Sequence, residues 1–260
     1  MIEFYKYQGT GNDFVIIDNR DNHFDGSNTE AVRFLCDRRF GIGGDGLMLL
    51  EKHPEFDFTM RYFNSDGNEA SMCGNGGRCI AAFAVHLDIV PSNEVFQFMA
   101  VDGLHEAKYD NGIVSLKMID VKKVDLKDDY TFLDTGSPHF VQFHQSVDQL
   151  DIYKMGSEVR YSETFKPGGT NANFAHFIND NTIKVRTYER GVEDETLACG
   201  TGVVASAISA HFKKNTISNF DIEVLGGKLN VHFDANADGS FSNIWLVGPA
   251  TFVFKGTIEL

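Results

Sequence analysis

Short runs of β-branched and aromatic residues, each closed by Gly, Asn, Asp or Pro, recur along the chain and predict strands. In the first half the runs are Phe14 to Ile17, Leu47 to Leu50, Phe58 to Phe63, Val95 to Phe98 and Ile113 to Met118. In the second half they are Phe140 to Phe143, Phe174 to Ile178, Ile183 to Tyr188, Ile222 to Leu225, Leu229 to Phe233 and Ile244 to Val247. Asp110-Asn111-Gly112 and Gly226-Gly227 supply residues that accept positive φ, so hairpins are predicted there and antiparallel pairing is expected throughout. Gly248-Pro249 then interrupts the chain before Thr251 to Phe254, a last strand expected to return to the first half.

Three stretches carry helical spacing instead. Glu30 to Arg39 is one. In the second, Ile80, Phe83, Ala84 and Leu87 fall at i, i+3, i+4 and i+7, while Ala81, Ala82 and Val85 fill much of the remaining circumference; a helix apolar nearly all round is a buried one. Val203 to Phe212 has the same character, with His211, Lys213 and Lys214 at its end, where cations suit the helix dipole. Both buried helices follow a Cys-Gly-x-Gly segment, Cys73-Gly74-Asn75-Gly76 and Cys199-Gly200-Thr201-Gly202. The likeness extends upstream without a gap: RYFNSDGNEASMCGNG lies over TYERGVEDETLACGTG, with Tyr62 on Tyr188, Glu69 on Glu195 and Cys73 on Cys199, an offset of 126 residues.

Such a repeat points to two related halves. The expected fold is α/β (α+β), with two pseudo-symmetric halves, each a mostly antiparallel sheet wrapped around a central helix, and an active site in the cleft between them. The halves are expected at residues 1–119, joined by 249–260, and at residues 120–248.

Composition narrows the partners. A formal charge of −14 over 260 residues, with no basic face, argues against nucleic acid, whose backbone is bound through clustered Lys and Arg. The opening MIEFYKYQGTGNDFVIIDNR has no basic segment leading into an apolar one, and no run approaches the roughly 20 apolar residues of a membrane span, so a cytoplasmic protein with no membrane partner is expected. Cys36, Cys73, Cys79 and Cys199 are too few and scattered for a disulfide framework, and without a C-x-x-C pair they do not suggest a metal. Cys36 and Cys79 lie inside helical stretches and read as packed thiols.

Cys73 and Cys199 read differently. Ser or Asp would cap a helix better, so cysteine at that place needs a chemical reason. A thiol at the first turn of a helix sits beside backbone N–H groups that lack an intrahelical partner and beside the positive end of the dipole, which favours thiolate. Two such thiols facing one carbon could take a proton from one side and return one to the other, the chemistry of a racemase or epimerase that needs no cofactor. A dithiol redox protein and a non-catalytic amino-acid-binding protein are the alternatives; redox pairs usually lie close in sequence, and a binding protein needs neither thiol. Two further motif matches carry no chemistry. Gly41-Ile42-Gly43-Gly44-Asp45-Gly46 fits G-x-G-x-x-G but follows a helix where a dinucleotide site needs a strand. The segment from Asp234 to Gly239 resembles the start of an EF-hand loop, but the twelfth position is Trp245, so it reads as a turn.

The segments GTGNDFVIID at 9–18, FNSDGNEASMCGNGGRC at 63–79, GSPHF at 136–140, TNANF at 170–174 and YERGVEDETLACGTG at 188–202 together resemble the diaminopimelate epimerase family. Proline and hydroxyproline racemases share the duplicated architecture, but the YERG segment and the GTGNDF start are similar to the diaminopimelate branch. The resemblance implies a pyridoxal-independent, metal-independent isomerase that interconverts LL- and meso-diaminopimelate on the route to lysine and peptidoglycan, and it implies a homodimer. By this resemblance Cys73 and Cys199 are the acid/base pair, and Gly74, Asn75, Gly200 and Thr201 hold the reacting carboxylate, largely through backbone N–H groups. Asn12, Asn64 and Asn171 match polar ligands of the substrate, and Glu189 with Arg190 receives its ammonium and carboxylate groups. Some members carry Gln at Gly46 and Asn at Ser137, so those side-chain contacts are not carried over. His139 is left between a packed histidine and a partner of Glu189.

Overall fold

The computed structural model describes residues 1–214 and 217–260. The chain divides into two compact units, residues 1–116 with 248–260 and residues 117–247. The first unit opens with β1 (Ile2–Gly9), β2 (Asn12–Asp18), α1 (Thr29–Cys36), β3 (Gly46–Glu51), β4 (Phe58–Asn64) and β5 (Glu69–Ala70). It continues through α2 (Gly74–His86), β6 (Val95–Ala100), β7 (Gly103–Asp110) and β8 (Ile113–Lys117). The second runs through β9 (Val124–Leu126), β10 (Thr131–Asp134), β11 (Pro138–Phe143), α3 (Ile152–Arg160), β12 (Asn171–Phe177), β13 (Thr182–Glu189) and β14 (Asp194–Thr196). It ends with α4 (Gly200–Lys213), β15 (Asn219–Val224), β16 (Gly227–Ala235) and β17 (Phe241–Pro249), and β18 (Thr251–Ile258) belongs to the first unit.

The two units repeat element for element. In the first, β1 is antiparallel to β18 and β2, β3 to β4, β6 to β7 and β7 to β8, whereas β2 with β3 and β4 with β6 are parallel. In the second, β10 is antiparallel to β9 and β11, β12 to β13, β15 to β16 and β16 to β17, whereas β11 with β12 and β13 with β15 are parallel. The sheets are thus mostly antiparallel, but the expectation of antiparallel pairing throughout is corrected. A crossover containing a helix lets two neighbouring strands run the same way: α1 and α3 alone connect β2 to β3 and β11 to β12, while β5 with α2 and β14 with α4 connect β4 to β6 and β13 to β15.

Both central helices are buried where the apolar periodicity placed them: α2 from Gly74 to Ala84, and α4 at Gly200 and from Gly202 to Ala210. Among the described residues no helix is long and apolar enough to cross a membrane. α1 stops at Cys36, short of the expected Arg39, because Asp37 turns extended and its carboxylate accepts the N–H groups of Arg39 and Phe40. The glycine motif that follows is a close-packed exit from α1. The Gly41 N–H donates to Asp37, those of Ile42 and Gly43 to Leu35 and that of Gly44 to Cys36, all carbonyls of the helix end, so these donors do not form a phosphate cradle. Asp234 to Gly239 makes the turn between β16 and β17, and the second predicted hairpin turns on Leu225 and Gly226, with Gly227 already paired to Val224.

The repeat itself needs one correction. Bidentate ion pairs join Arg61 to Glu69 across β4 and β5, and Arg186 to Glu195 across β13 and β14. Phe63 stands opposite Glu69 as Tyr188 stands opposite Glu195. Tyr62 therefore does not correspond to Tyr188. The second copy carries one more residue in the turn between these strands, so Phe63 matches Tyr188 and Asn64 matches Glu189, while the offset of 126 holds from Glu69 and Glu195 to the two cysteines.

Candidate active site

In the first unit Cys73 is the N-cap of α2, and its Sγ accepts the N–H of Gly76 at 3.2 Å. A donor on sulfur stabilises thiolate, and the remaining N–H groups of the first turn point the same way along the helix axis. Asn12 at the start of β2 brings its Oδ1 to 3.9 Å from Cys73 Sγ and accepts the Asn75 amide at 3.2 Å. The Asn12 Nδ2 donates to Asp45 at 2.6 Å, and Asp45 is paired with Arg38 at 2.7 Å. Cys73, Asn12, Gly74 and Asn75 are thus gathered at one place, and Asn64 stands exposed at the end of β4. Gly46 pairs with Asn64 across β3 and β4; a Cβ there would lie 2.5 Å from both the Phe63 carbonyl and the Tyr62 ring, so the space a longer side chain would need is filled. The other two cysteines are packed thiols: burial pushes both Cys36 and Cys79 up to about 12.

In the second unit Cys199 caps α4, with Thr201 Oγ1 3.5 Å from its Sγ. Behind Thr201 lies a buried polar chain that fixes its own proton positions. Asn173 Nδ2 donates to the Phe140 carbonyl and to His139 Nδ1, while its Oδ1 accepts from Thr187. With Nδ1 an acceptor, His139 carries its proton on Nε2 and donates it to Thr201 Oγ1 at 2.9 Å, leaving the threonine hydroxyl to donate to Cys199. Burial, with the Arg190 charge adding to it, pulls His139 down to about 3, so the ring is neutral across the working range. Gly202 is required by the same packing, since a Cβ there would stand 2.3 Å from Asn173 Oδ1.

Glu189 closes β13 and Arg190 begins the turn to β14. That turn is held by Glu193, which takes a positive φ of 60° and accepts from the Gly191 N–H, Arg160, Tyr161 and Tyr188. Asn171 braces it from the other side: its Oδ1 accepts the Arg190 backbone N–H at 2.8 Å, and its Nδ2 donates to Ser137 Oγ and the Pro138 carbonyl. Both amide protons of Asn171 are therefore engaged within the protein. Ser137 is part of this cluster, within 3.4 Å of the Arg190 guanidinium. Sequence reasoning missed Asp45, Asn173, Thr187 and Arg78. The only local signal was Asp45 beside the glycines: Asn173 is bonded to residues 14 to 34 positions away, and Arg78, though bonded to Gly74 and Asn75 within its own helix, is completed by the distant Thr10 and Pro249. Among the described residues no group of three or more His, Cys, Asp or Glu side chains is placed to hold a metal ion.

The family model described as diaminopimelate epimerase matches residues 4–116 and 131–253. A diaminopimelate epimerase of Flavobacterium psychrophilum is 51 % identical over 259 residues, covering 99 % of this chain and 100 % of that one, and one of Chlorobaculum tepidum is 42 % identical, covering 97 % and 99 %. Among solved structures, a phenazine biosynthesis protein of the PhzF family from Bacillus anthracis superposes with a TM-score of 0.78 at 12 % identity, covering 100 % of this chain and 99 % of that one. A probable proline racemase from Agrobacterium radiobacter K84 does so at 0.70 and 15 %, covering 100 % and 93 %; these two share the fold. The matched model and the full-length relatives place this chain in the diaminopimelate epimerase family.

Proposed function

We propose that this protein interconverts LL- and meso-diaminopimelate without a cofactor, by passing the α-proton between the Cys73 and Cys199 thiols. The observation that supports this reading most is the duplicated N-cap: each of two buried helices begins with a cysteine whose sulfur lies against a donor, Gly76 N–H or Thr201 hydroxyl. One thiolate removes the α-proton and becomes a thiol. The electron pair left on carbon spreads into the adjacent carboxylate, which carries more negative charge than before. The other thiol then donates its proton to the opposite face and becomes the thiolate, so the configuration inverts and the two sulfurs exchange roles.

The α-carbon beside a carboxylate is a poor acid, and no Schiff base spreads its charge here. Backbone N–H groups at Gly74, Asn75, Gly200 and Thr201 supply fixed donors for that carboxylate, the kind of preorganised stabilisation that is often the largest catalytic term. Glu189 and Arg190 take the ammonium and carboxylate groups, with Asn12 and Asn64 lining the substrate and Asn171 contributing by holding the Arg190 turn in place. Arg190 suits a carboxylate because its fork matches both oxygens. We assign the enzyme to the cytoplasm, in the formation of lysine and peptidoglycan precursors, and to a homodimer. Phe252 and Phe254, which share one face of β18 and are 41 % and 44 % exposed, support the dimer as apolar surface that a second copy would cover. The test is a substrate panel: LL-diaminopimelate is converted to the meso form, whereas lysine and proline show no comparable α-proton exchange. Equal exchange from all three would replace this reading with a broader racemase.

A further inference from the structure

Arg78 lies in the second turn of α2 with its side chain wholly buried, and none of its acceptors is a carboxylate. Nη1 donates to the Gly74 carbonyl (3.1 Å), Nη2 to Thr10 Oγ1 (3.0 Å) and Asn75 Oδ1 (3.1 Å), and Nε to the Pro249 carbonyl (3.4 Å). A buried cation matched only by neutral oxygens is costly, and helix packing alone would be served better by Leu or Met. The neighbouring charges are matched among themselves. Lys6 of β1 pairs with Asp13 of β2, Arg38 with Asp13 and Asp45, His105 of β7 with Asp102, and Lys255 of β18 with Glu3. Glu106 of β7 accepts from Gln97, and His86 at the far end of α2 is bonded to Tyr7.

A guanidinium offers only donors and a carboxylate only acceptors. Two amides run between Arg78 and Asp45, and every donor along them points one way: Arg78 to Asn75 Oδ1, Asn75 Nδ2 to Asn12 Oδ1, Asn12 Nδ2 to Asp45 Oδ2. Turning either amide over would set N–H against N–H on its Arg78 side and oxygen against oxygen on its Asp45 side. The ions at the ends therefore decide that Asn12 presents oxygen, not nitrogen, to Cys73. With Gly76 N–H on the same sulfur, Cys73 meets an acceptor when it is a thiol and a donor when it is a thiolate.

We infer that Arg78 and Asp45 are positioning residues for Cys73: together they fix the polarity of the Asn75–Asn12 amide chain, and Arg78 adds a buried positive charge that favours the thiolate. This rests on the reading of Cys73 as an acid/base group, but its test does not use turnover. In a Cys199→Ser background, iodoacetamide alkylation of Cys73 is followed against pH by mass spectrometry of the Cys73 peptide. Cys36 and Cys79 stay protonated through this range, as their burial requires. Arg78→Met raises the alkylation midpoint by about one pH unit or more, the lower end of what an adjacent opposite charge does. Arg78→Lys raises it less, and Asp45→Asn, which removes the negative charge at the far end of the chain and loosens its hold on the Asn12 amide, lowers it. Loss of packing alone would not move the Arg78 and Asp45 variants in opposite directions. An unchanged midpoint in the Arg78 variants, or shifts of the same sign at both sites, overturns the inference. If Arg78→Met does not fold, Arg78→Lys and Asp45→Asn decide it. The two-thiol reading fails on a different result, turnover by Cys73→Ala.

Discussion

Replacing His139 by Gln should flatten the acid limb of the stability profile of the second unit. In the folded protein His139 is held neutral with a pKa of about 3, against an ordinary 6.5. As pH falls through 6.5 the unfolded chain takes up a proton that the native chain cannot accept until about 3, so the folded state loses ground throughout that window. The loss is about 1.4 kcal/mol per pH unit, or about 2 kcal/mol between pH 7 and pH 5. His144 and His232 of the same unit are also lowered by desolvation and add their own losses in this window, so the contribution of His139 is read as the difference between wild type and variant. The single tryptophan, Trp245 on β17, reports this unit selectively in urea titrations followed by fluorescence. The wild-type midpoint should fall more steeply between pH 7 and pH 5 than that of His139→Gln, which is less stable at pH 7 and keeps only the losses from His144 and His232. Equal losses in both proteins would refute the neutral, internally bonded His139.

Cys73→Ala and Cys199→Ala should each abolish epimerisation while leaving the circular dichroism spectrum unchanged; near wild-type turnover by either removes the two-base reading. Gly202→Ala should cost about 1–3 kcal/mol in urea titrations, because its Cβ would press within 2.3 Å of the buried Asn173 amide. Gly76→Ala, whose Cβ meets the Cys73 and Met48 sulfurs at 3.3 Å, should cost less than about 1 kcal/mol, and equal costs at the two glycines would refute the packing argument. Arg190→Lys should lower kcat/KM on diaminopimelate at least about tenfold, since a point charge cannot replace the bidentate fork, and an unchanged value would place the substrate carboxylate elsewhere.

Much of this was legible because it is local. A cysteine before two small residues and an apolar helix is read within ten residues, and both Cys73 and Cys199 are the N-caps that this pattern implies. Most strand positions followed from alternation and turn residues, as at Asn111 and Gly112, which take φ of 48° and 86° in the β7–β8 turn, but β1, β5, β7, β9, β10 and β14 were not anticipated. What failed is non-local. Parallel pairing of β2 with β3 depends on where α1 delivers the chain, which no window of sequence contains. α3 was missed because Gly156 weakens its helical signal; the glycine is explained only by Tyr188, whose ring and Cβ occupy the place a Cβ would take. The single-residue shift in the repeat was hidden by Tyr62 and Tyr188, which match in sequence but not in the sheet. The link between Arg78 and Asp45 is hidden for the same reason: a hydrogen-bonded chain from residue 78 through 75 and 12 to 45 has no linear signature.

The most direct test of two-thiol epimerisation is solvent isotope incorporation during a single inversion. LL-diaminopimelate is incubated with the protein in heavy water and sampled early in the reaction, and substrate and product are separated and weighed by mass spectrometry. If one sulfur removes the proton and the other delivers one from its own solvent-exchanged thiol, each meso product molecule carries one deuterium at the inverted carbon while unreacted substrate stays protiated. Meso product that retains the original proton would show a single base returning what it took, and would contradict the account.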